Sequence, residues 1–172
     1  MAKIIGYNVG VKYKVVTTTT PAGSVNSTSN TLINSLLIPA NTFSSGDIVT
    51  IETCVTKSAT NNIFSFYFYL NTSATLVGAT LVATNTSVPN NLTRSAQLYR
   101  RLAIDVASGS GNGTIVLNTS FAAREDIGST NYTTGFSTLT TNWTVDQYLI
   151  VSGSVVSTSD TLSCQWIKAS NG

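Results

Sequence analysis

Residues 63–71 read Ile-Phe-Ser-Phe-Tyr-Phe-Tyr-Leu-Asn. In an extended chain every second side chain points to the same side, so the two faces of this run differ. One face carries the apolar side chains Phe64, Phe66, Phe68 and Leu70. The other face carries Ile63, Ser65, Tyr67 and Tyr69. Each buried aromatic ring removes roughly 150 to 250 Å² from water, so we expect the phenylalanine face in the core of a central β-strand.

Strand-like runs continue on both sides of this segment, and no window has the i, i+3, i+4, i+7 apolar spacing of an amphipathic helix. The predicted strands are Thr31–Ile38, Ile48–Lys57, Ile63–Asn71, Val77–Thr84, Ala96–Ala107, Thr114–Ser120, a run within Thr133–Leu139, Gln147–Val156 and Thr161–Lys168. Turn formers such as Pro39-Ala-Asn41 separate them. Eight or nine short strands with this spacing predict an all-β fold, an antiparallel β-sandwich or jelly roll.

Two further strands have faces that can be assigned from alternation. The strand Thr161–Lys168 places Leu162, Cys164 and Trp166 on one face. In Ala96–Ala107, Arg100 interrupts the apolar face formed by Leu98, Leu102, Ile104 and Val106. We expect Arg100 at the rim of the sandwich, with its stem packed and its guanidinium in water.

The first thirty residues differ in composition from the rest. Residues 3–16 alternate like an extended strand, and Thr17–Asn30 has the Ser/Thr/Asn-rich composition of a linker. Lys3, Lys12 and Lys14 are all the charges before Asp47. The sequence predicts an extended basic N-terminal arm and linker over 1–30 and a jelly-roll domain over 31–172. The arm is expected to anchor the protein by adding a strand to a partner's sheet edge.

Composition argues against catalysis. Ser, Thr and Asn make up 66 of the 172 residues, 9% of residues are charged, and His is absent. Glu125 and Asp126 come nearest to a pair of catalytic carboxylates, but sequence neighbours rarely converge on one substrate, so a solvated loop with a local ion pair is favoured. The prediction is a non-enzymatic protein with no catalytic residue and no cofactor.

Acidic and thiol side chains leave two alternatives open. Asp47, Asp146 and Asp160 each stand just before a strand, where a carboxylate accepts hydrogen bonds from turn N–H groups; the alternative is a calcium site shared between them at one end of the sandwich. Cys54 and Cys164 lie inside predicted strands and are expected to be buried free thiols, with a mutual disulfide as the alternative.

Partners are constrained by charge and hydropathy. With a net charge of +2 and no basic stripe, nucleic acid is not an expected partner. No apolar run approaches the roughly 20 residues that span a bilayer, and the first residues lack the apolar core of a signal peptide, so no membrane association or export signal is predicted. Tyr67 and Tyr69 have three alternative roles: they cover a second apolar layer, line a subunit interface, or form a sugar-stacking platform.

Four stretches carry a resemblance to a known group of proteins: Leu36-Leu-Ile-Pro-Ala-Asn-Thr-Phe-Ser-Ser-Gly-Asp-Ile-Val49, Ala74-Thr-Leu-Val-Gly-Ala-Thr-Leu-Val82, the Arg-containing run Gln97–Val106, and Asn142-Trp-Thr-Val-Asp-Gln-Tyr-Leu-Ile-Val151 followed by Asp160-Thr-Leu-Ser163. Over residues 31–168 the chain resembles the β-sandwich domains of tailed-bacteriophage virion proteins, which are found in head fibres, capsid decoration proteins and tail tips. The resemblance implies a jelly roll, often trimeric, with a structural or attachment role and no catalytic residue.

Together these observations favour a structural protein located in a phage virion. The first hypothesis is a head-fibre or capsid-decoration protein, a homotrimer whose N-terminal arm binds other capsid or tail proteins. The alternative is a carbohydrate- or receptor-binding tail-tip or adhesin module, which would hold host surface glycans on Tyr67 and Tyr69.

Overall fold

The computed structural model describes residues 15–18, 25–58, 61–88, 94–105, 113–117 and 136–171. These residues form strands and turns without a helix, so nothing in the described part is a helix that could cross a membrane. The strands are β1 (Val15–Thr18), β2 (Thr31–Ile38), β3 (Ile48–Ser58), β4 (Phe64–Asn71), β5 (Thr80–Val88), β6 (Arg94–Asp105), β7 (Gly113–Leu117), β8 (Phe136–Thr140), β9 (Gln147–Val155) and β10 (Thr161–Asn171).

The strands form two antiparallel sheets. The six-stranded sheet has the order β1-β10-β3-β6-β7-β8, and the four-stranded sheet has the order β2-β9-β4-β5. Apart from the β7–β8 hairpin, which extends one sheet, eight strands remain in the orders β1-β10-β3-β6 and β2-β9-β4-β5. The chain crosses between the sheets six times, at β1–β2, β2–β3, β3–β4, β5–β6, β8–β9 and β9–β10. Two interlocked Greek keys of this kind define a jelly roll, so the predicted fold class is confirmed.

The core lies between the two sheets, and β4 supplies much of it. Phe64, Phe66 and Phe68 are each at most 1% exposed. Strand β4 is bracketed by β9 and β5, which makes it an internal strand of its sheet. From the other sheet, Val49, Ile51 and Val55 of β3 are fully buried. The phenylalanine face is therefore core, as the alternation predicted.

A β-bulge in β10 changes the face of one predicted core residue. Cys164 pairs with Val55, but the next pairing joins Trp166 to Cys54, so Gln165 is an extra residue in β10. Trp166 is thereby moved to the outer face and half-buried, and Ile167 takes the next core position, fully buried. The Trp166 carbonyl accepts a hydrogen bond of 2.7 Å from Thr53 Oγ1, which satisfies a backbone group at the bulge. The prediction that Trp166 shares the face of Leu162 and Cys164 is wrong.

Arg100 is likewise not at the rim. It pairs with the fully buried Ile51, which places it on the inner face of β6, and it is only 4% exposed. Its Nη1 donates a hydrogen bond of 2.7 Å to the Tyr99 carbonyl, so the buried guanidinium is bonded to the protein backbone. The prediction of a solvated head is wrong, because strand alternation points the whole side chain inward.

Backbone pairing begins earlier in the chain than the boundary predicted at Thr31. Strand β1 pairs with β10 from Val15↔Ser170 to Thr18↔Ile167. Val25 exchanges two 2.8 Å hydrogen bonds with Leu162, and the Val155 N–H donates to the Ser27 carbonyl at 2.9 Å. Part of the segment predicted as a linker therefore belongs to the sandwich. Lys3, Lys12 and Lys14 lie outside the described residues.

Candidate functional site

The outer side of the four-stranded sheet presents the predicted tyrosine pair. Register places Tyr67 opposite Ser152 and Tyr69 opposite Ile150, and directly opposed residues of an antiparallel pair share a face. We call this surface the Tyr face; its described members are Leu32, Ser35, Leu37, Ser65, Tyr67, Tyr69, Asn71, Leu81, Thr84, Tyr148, Ile150, Ser152 and Ser154. Among these described residues there is no charged side chain.

Tyr67 and Tyr69 are half-buried, with ring centroids 6.3 Å apart and planes inclined at 45°. The Tyr69 hydroxyl accepts a 3.0 Å hydrogen bond from Asn30 Nδ2. Ile150 is fully buried although its side chain lies on the outer face of the sheet. All three alternatives for the tyrosines, a second apolar layer, a subunit interface and a sugar platform, stay predictions.

Exposed aliphatic side chains flank the tyrosines on both edge strands. Leu37 of β2 is 41% exposed and Leu81 of β5 is 44% exposed. The Asn71 amide is already used inside its own loop, because Nδ2 donates to the carbonyls of Thr75 at 2.8 Å and Val77 at 3.0 Å. The Tyr face therefore offers apolar and aromatic contact area and few side-chain groups for polar recognition.

The outer side of the six-stranded sheet has a different character. Across β10, β3 and β6, Trp166 lies opposite Cys54 and Cys54 opposite Gln97, while the next outward row joins Lys168, Glu52 and Tyr99. We call this surface the Trp face; its described members are Thr17, Ile48, Thr50, Glu52, Cys54, Thr56, Ser95, Gln97, Tyr99, Arg101, Ala103, Ser163, Gln165, Trp166, Lys168 and Ser170. It carries charged, amide and aromatic side chains together.

Contacts within the Trp face orient its polar groups. Lys168 Nζ lies 3.1 Å from Glu52 Oε1, with the two side chains 33% and 28% exposed. Gln165 Nε2 donates to Thr56 Oγ1 at 2.8 Å. The Arg101 guanidinium lies 5.8 Å from the centroid of the Tyr99 ring, within the range of a cation–π contact.

Sequence reasoning missed the Trp face because it placed Trp166 on the same face as Leu162 and Cys164. The signal that could have found it is the pair Trp166-Ile167, two large apolar residues in succession where strict alternation allows one. A bulge places one of the two outside and the other inside.

The three carboxylates that precede strands have two different roles. Asp47 Oδ2 accepts a 2.8 Å hydrogen bond from the Ser44 N–H, and Asp146 Oδ1 accepts one of 2.8 Å from the Ala40 N–H, as predicted for turn residues. Asp160 instead lies 3.1 Å from Lys57 Nζ, and both side chains are fully buried. Asn62 Nδ2 adds a 3.2 Å hydrogen bond to Asp160.

The shared calcium site is wrong as a prediction. Asp47 stands at the start of β3 and Asp160 contacts Lys57 near its end, so the two carboxylates are roughly 30 Å apart at the rise of an extended strand. Within the described part of the chain, no group of three or more His, Cys, Asp or Glu side chains is placed to hold a metal ion.

Cys54 and Cys164 are free thiols, as predicted, and the alternative disulfide is wrong. Their register places Cys54 on the outer face of β3 and Cys164, opposite Val55, on the inner side of β10. Burial raises the pKa of both thiols; at Cys164, hydrogen bonds with Thr53, Asn34 and the Trp166 backbone oppose that rise. Cys164 is fully buried and Cys54 is half-buried, so Cys54 is the more accessible of the two.

The other predicted site residues cannot be placed. Glu125 and Asp126 lie outside the described residues, as do the three lysines of the arm.

Comparison with known proteins gives few matches. No protein-family model matches the chain, and no curated protein does. Among solved structures, it is similar to the CBM2 module of the evolved Dit of Lactobacillus casei BL23 phage J-1, at 13% identity and a TM-score of 0.30, with 79% of this chain and 68% of that chain covered. That likeness is below the level at which two chains are said to share a fold, so it assigns neither a family nor a function.

Proposed function

We propose that the chain is a non-enzymatic structural protein of a phage virion, a head-fibre or capsid-decoration protein that associates with copies of itself through the Tyr face. The jelly roll is a fold of viral capsid and lectin domains, and the sequence resemblance over residues 31–168 is to virion β-sandwich domains. The observation that carries the proposal is the absence of charge among the described members of the Tyr face.

The chemistry of the Tyr face suits a protein interface. Interface cores are depleted in charged residues and enriched in tyrosine, because removing a charged side chain from water costs more free energy than removing a neutral one. Tyr67, Tyr69 and Tyr148 supply rings with polar tips, and Leu37 and Leu81 supply exposed aliphatic surface at the two edges of the sheet. Three copies arranged around an axis fit the resemblance, which favours trimers.

The arm would provide the attachment to the particle. Val15 begins β1, which is an edge strand of the six-stranded sheet, and the basic residues Lys3, Lys12 and Lys14 precede that strand in the sequence. A strand-like arm at that position is suited to pair with a neighbouring virion protein. The particle is the proposed location, and neither nucleic acid, a membrane nor a cofactor is required.

Self-association is tested by sedimentation velocity and native mass spectrometry of the full-length chain. The wild type is expected to be a trimer, and Leu37→Lys with Leu81→Lys is expected to give a monomer, because six lysines would be brought into the contacts of one trimer. The matched control is Ile48→Lys, a residue 58% exposed on the outer side of the other sheet. A monomeric wild type at micromolar concentration would remove the proposed interface.

Anchoring is tested in the phage that encodes the chain. Deletion of residues 1–14 retains β1 and should leave the melting temperature unchanged while the protein disappears from purified particles. A matched control replaces Lys3, Lys12 and Lys14 by Gln, which separates the charge of the arm from its backbone. Unchanged incorporation of the deletion variant would contradict the anchoring role.

The second candidate function is carbohydrate or receptor binding by a tail-tip or adhesin module. The inclined rings of Tyr67 and Tyr69 and the engaged Tyr69 hydroxyl make the Tyr face a poor flat platform for a sugar. The observation that favours this function is the Trp face, where an outward indole is surrounded by hydrogen-bonding side chains.

A further inference from the structure

We propose that the Trp face is a binding site for a neutral oligosaccharide, with Trp166 as the ring on which a sugar stacks. The site rests on the second candidate function, carbohydrate binding, and is independent of self-association through the Tyr face.

The bulge in β10 is the first observation behind the site. The aromatic side chains that point inward from β4, namely Phe64, Phe66 and Phe68, are each at most 1% exposed. The extra residue Gln165 turns Trp166 outward instead and leaves its indole half-buried on a polar surface. An indole held by the sheet beneath it presents a rigid apolar plane, which suits the C–H face of a pyranose ring.

The space beside Trp166 is the second observation. The residue opposite Trp166 is Cys54, a small side chain, and Tyr99 stands diagonally across Cys54 on β6. Two strand spacings and a two-residue offset separate the Cα atoms of Trp166 and Tyr99 by about 12 Å. The Cys54 thiol therefore lies between the two aromatic side chains, and we call the sheet surface between Trp166 and Tyr99 the floor of the site. A ligand that contacts both rings must contain several linked sugar units.

The polar groups around that floor are the third observation. Sugar hydroxyls donate and accept hydrogen bonds at once, so a site needs fixed donors and fixed acceptors side by side. The Glu52 carboxylate and the Lys168 ammonium, 3.1 Å apart and both about one-third exposed, provide them in the row next to Trp166. Gln97, exposed opposite Cys54, adds an amide on the far side.

Charge selects the class of ligand. In the row next to Trp166 the Glu52 and Lys168 charges compensate each other, and Arg101 lies one row further along, beside the Tyr99 ring. The surface next to Trp166 therefore favours an uncharged ligand over a polyanion, and the Glu52 carboxylate would repel a phosphate backbone. A protein partner would have to desolvate this ion pair and Arg101 together, whereas protein interface cores are depleted in charge. An uncharged oligosaccharide leaves both charges hydrated at their outer sides.

Cys54 provides a built-in probe of the proposed site. The full-length chain is alkylated with iodoacetamide at alkaline pH, because the pKa of the thiol is raised, with and without α- or β-linked hexasaccharides of glucose, galactose or N-acetylglucosamine. Peptide mass spectrometry then measures Cys54 and Cys164 separately. At least one hexasaccharide at saturation is expected to slow the labelling of Cys54 by fivefold or more and to leave Cys164, which lies on the inner side of its strand, unchanged.

Variants decide where the protection arises. Trp166→Ala is expected to lower the affinity at least tenfold, and Gln97→Trp, at an exposed position, is expected to block the floor without removing any packed side chain; circular dichroism checks that each variant is folded. If Trp166→Ala unfolds, Gln97→Trp alone decides. Val77→Ser, at a residue 84% exposed in the loop between β4 and β5, is the control away from both faces and should bind as the wild type does.

Three outcomes would overturn the site: no hexasaccharide protects Cys54, Gln97→Trp keeps the protection, or Val77→Ser loses it. The same assay on the Leu37→Lys, Leu81→Lys variant separates this site from self-association. Binding to that variant at wild-type affinity supports a site within one subunit, even if the wild type proves monomeric. Loss of binding there would place the ligand at a subunit interface and contradict the Trp face.

Discussion

The two outer faces of the sandwich enclose the same core and differ in charge. The described residues of the Tyr face include no charged side chain, whereas the Trp face carries Glu52, Arg101 and Lys168. Both faces expose aromatic rings, so hydrophobicity alone does not distinguish them. The difference indicates that one side of the molecule is suited to desolvation against protein and the other to a hydrated, hydrogen-bonding ligand.

The largest loss of stability is expected from a change in the core that both faces share. Lys57→Met removes the ammonium 3.1 Å from Asp160 and leaves that carboxylate fully buried. We expect a loss of about 3–5 kcal/mol in the free energy of unfolding, measured by urea denaturation, and loss of both self-association and sugar binding in parallel.

The control for this change is the double variant Lys57→Met with Asp160→Asn. Replacing both charges removes the unpaired carboxylate, so the double variant should be more stable than the sum of the single effects. If Lys57→Met lowers stability by less than about 1 kcal/mol, the buried pair is not a stabilising contact of the core.

A second core change acts on the contact between the sheets. A Cβ at Gly153 of β9 would lie 2.8 Å from Leu162 Cδ1 of β10 and 2.8 Å from the Ser65 carbonyl oxygen. The backbone oxygen cannot yield as a side chain can, so Gly153→Ala is expected to cost about 1–3 kcal/mol of stability by thermal or urea unfolding. Ser154→Ala, on the outer side of the same strand, is the matched control and should change stability by less than about 0.5 kcal/mol.

These core effects mark the limit of what alternation in the sequence can predict. The phenylalanine face of β4 and the strand positions follow from the period of two, which is a local property. Trp166 was misplaced because a bulge depends on the pairing of β10 with β3. The pair Trp166-Ile167 breaks the alternation, but it does not say which of the two residues faces outward. The pairing of Lys57 with Asp160 joins residues far apart in the chain. The pairing of β1 with β10 was missed because this short edge strand adjoins a segment of linker composition.

A substitution at Tyr69 tests the Tyr face separately from the Trp face. Tyr69→Phe keeps the ring and removes the hydroxyl that accepts the 3.0 Å hydrogen bond from Asn30. Stability should fall by about 0.5–1.5 kcal/mol, while the mass in solution stays that of the wild type, since the proposed interface uses the ring. Conversion to a monomer by this substitution would show that polar contacts of the tyrosine tip, and not apolar area, hold the copies together.

The smallest expected effect on stability comes from the ion pair of the Trp face. Lys168 Nζ and Glu52 Oε1 are 3.1 Å apart, the same distance as in the Lys57–Asp160 pair, but one-third of each side chain is exposed. Water solvates these charges in the folded and unfolded chains alike, so Lys168→Met should change the free energy of unfolding by no more than about 1 kcal/mol. Because the ammonium is one of the proposed donors to the sugar, the same substitution should still weaken oligosaccharide protection of Cys54 several-fold. A variant that loses stability as Lys57→Met does would make the Trp face part of the structural framework, and one that binds sugar unchanged would remove Lys168 from the site.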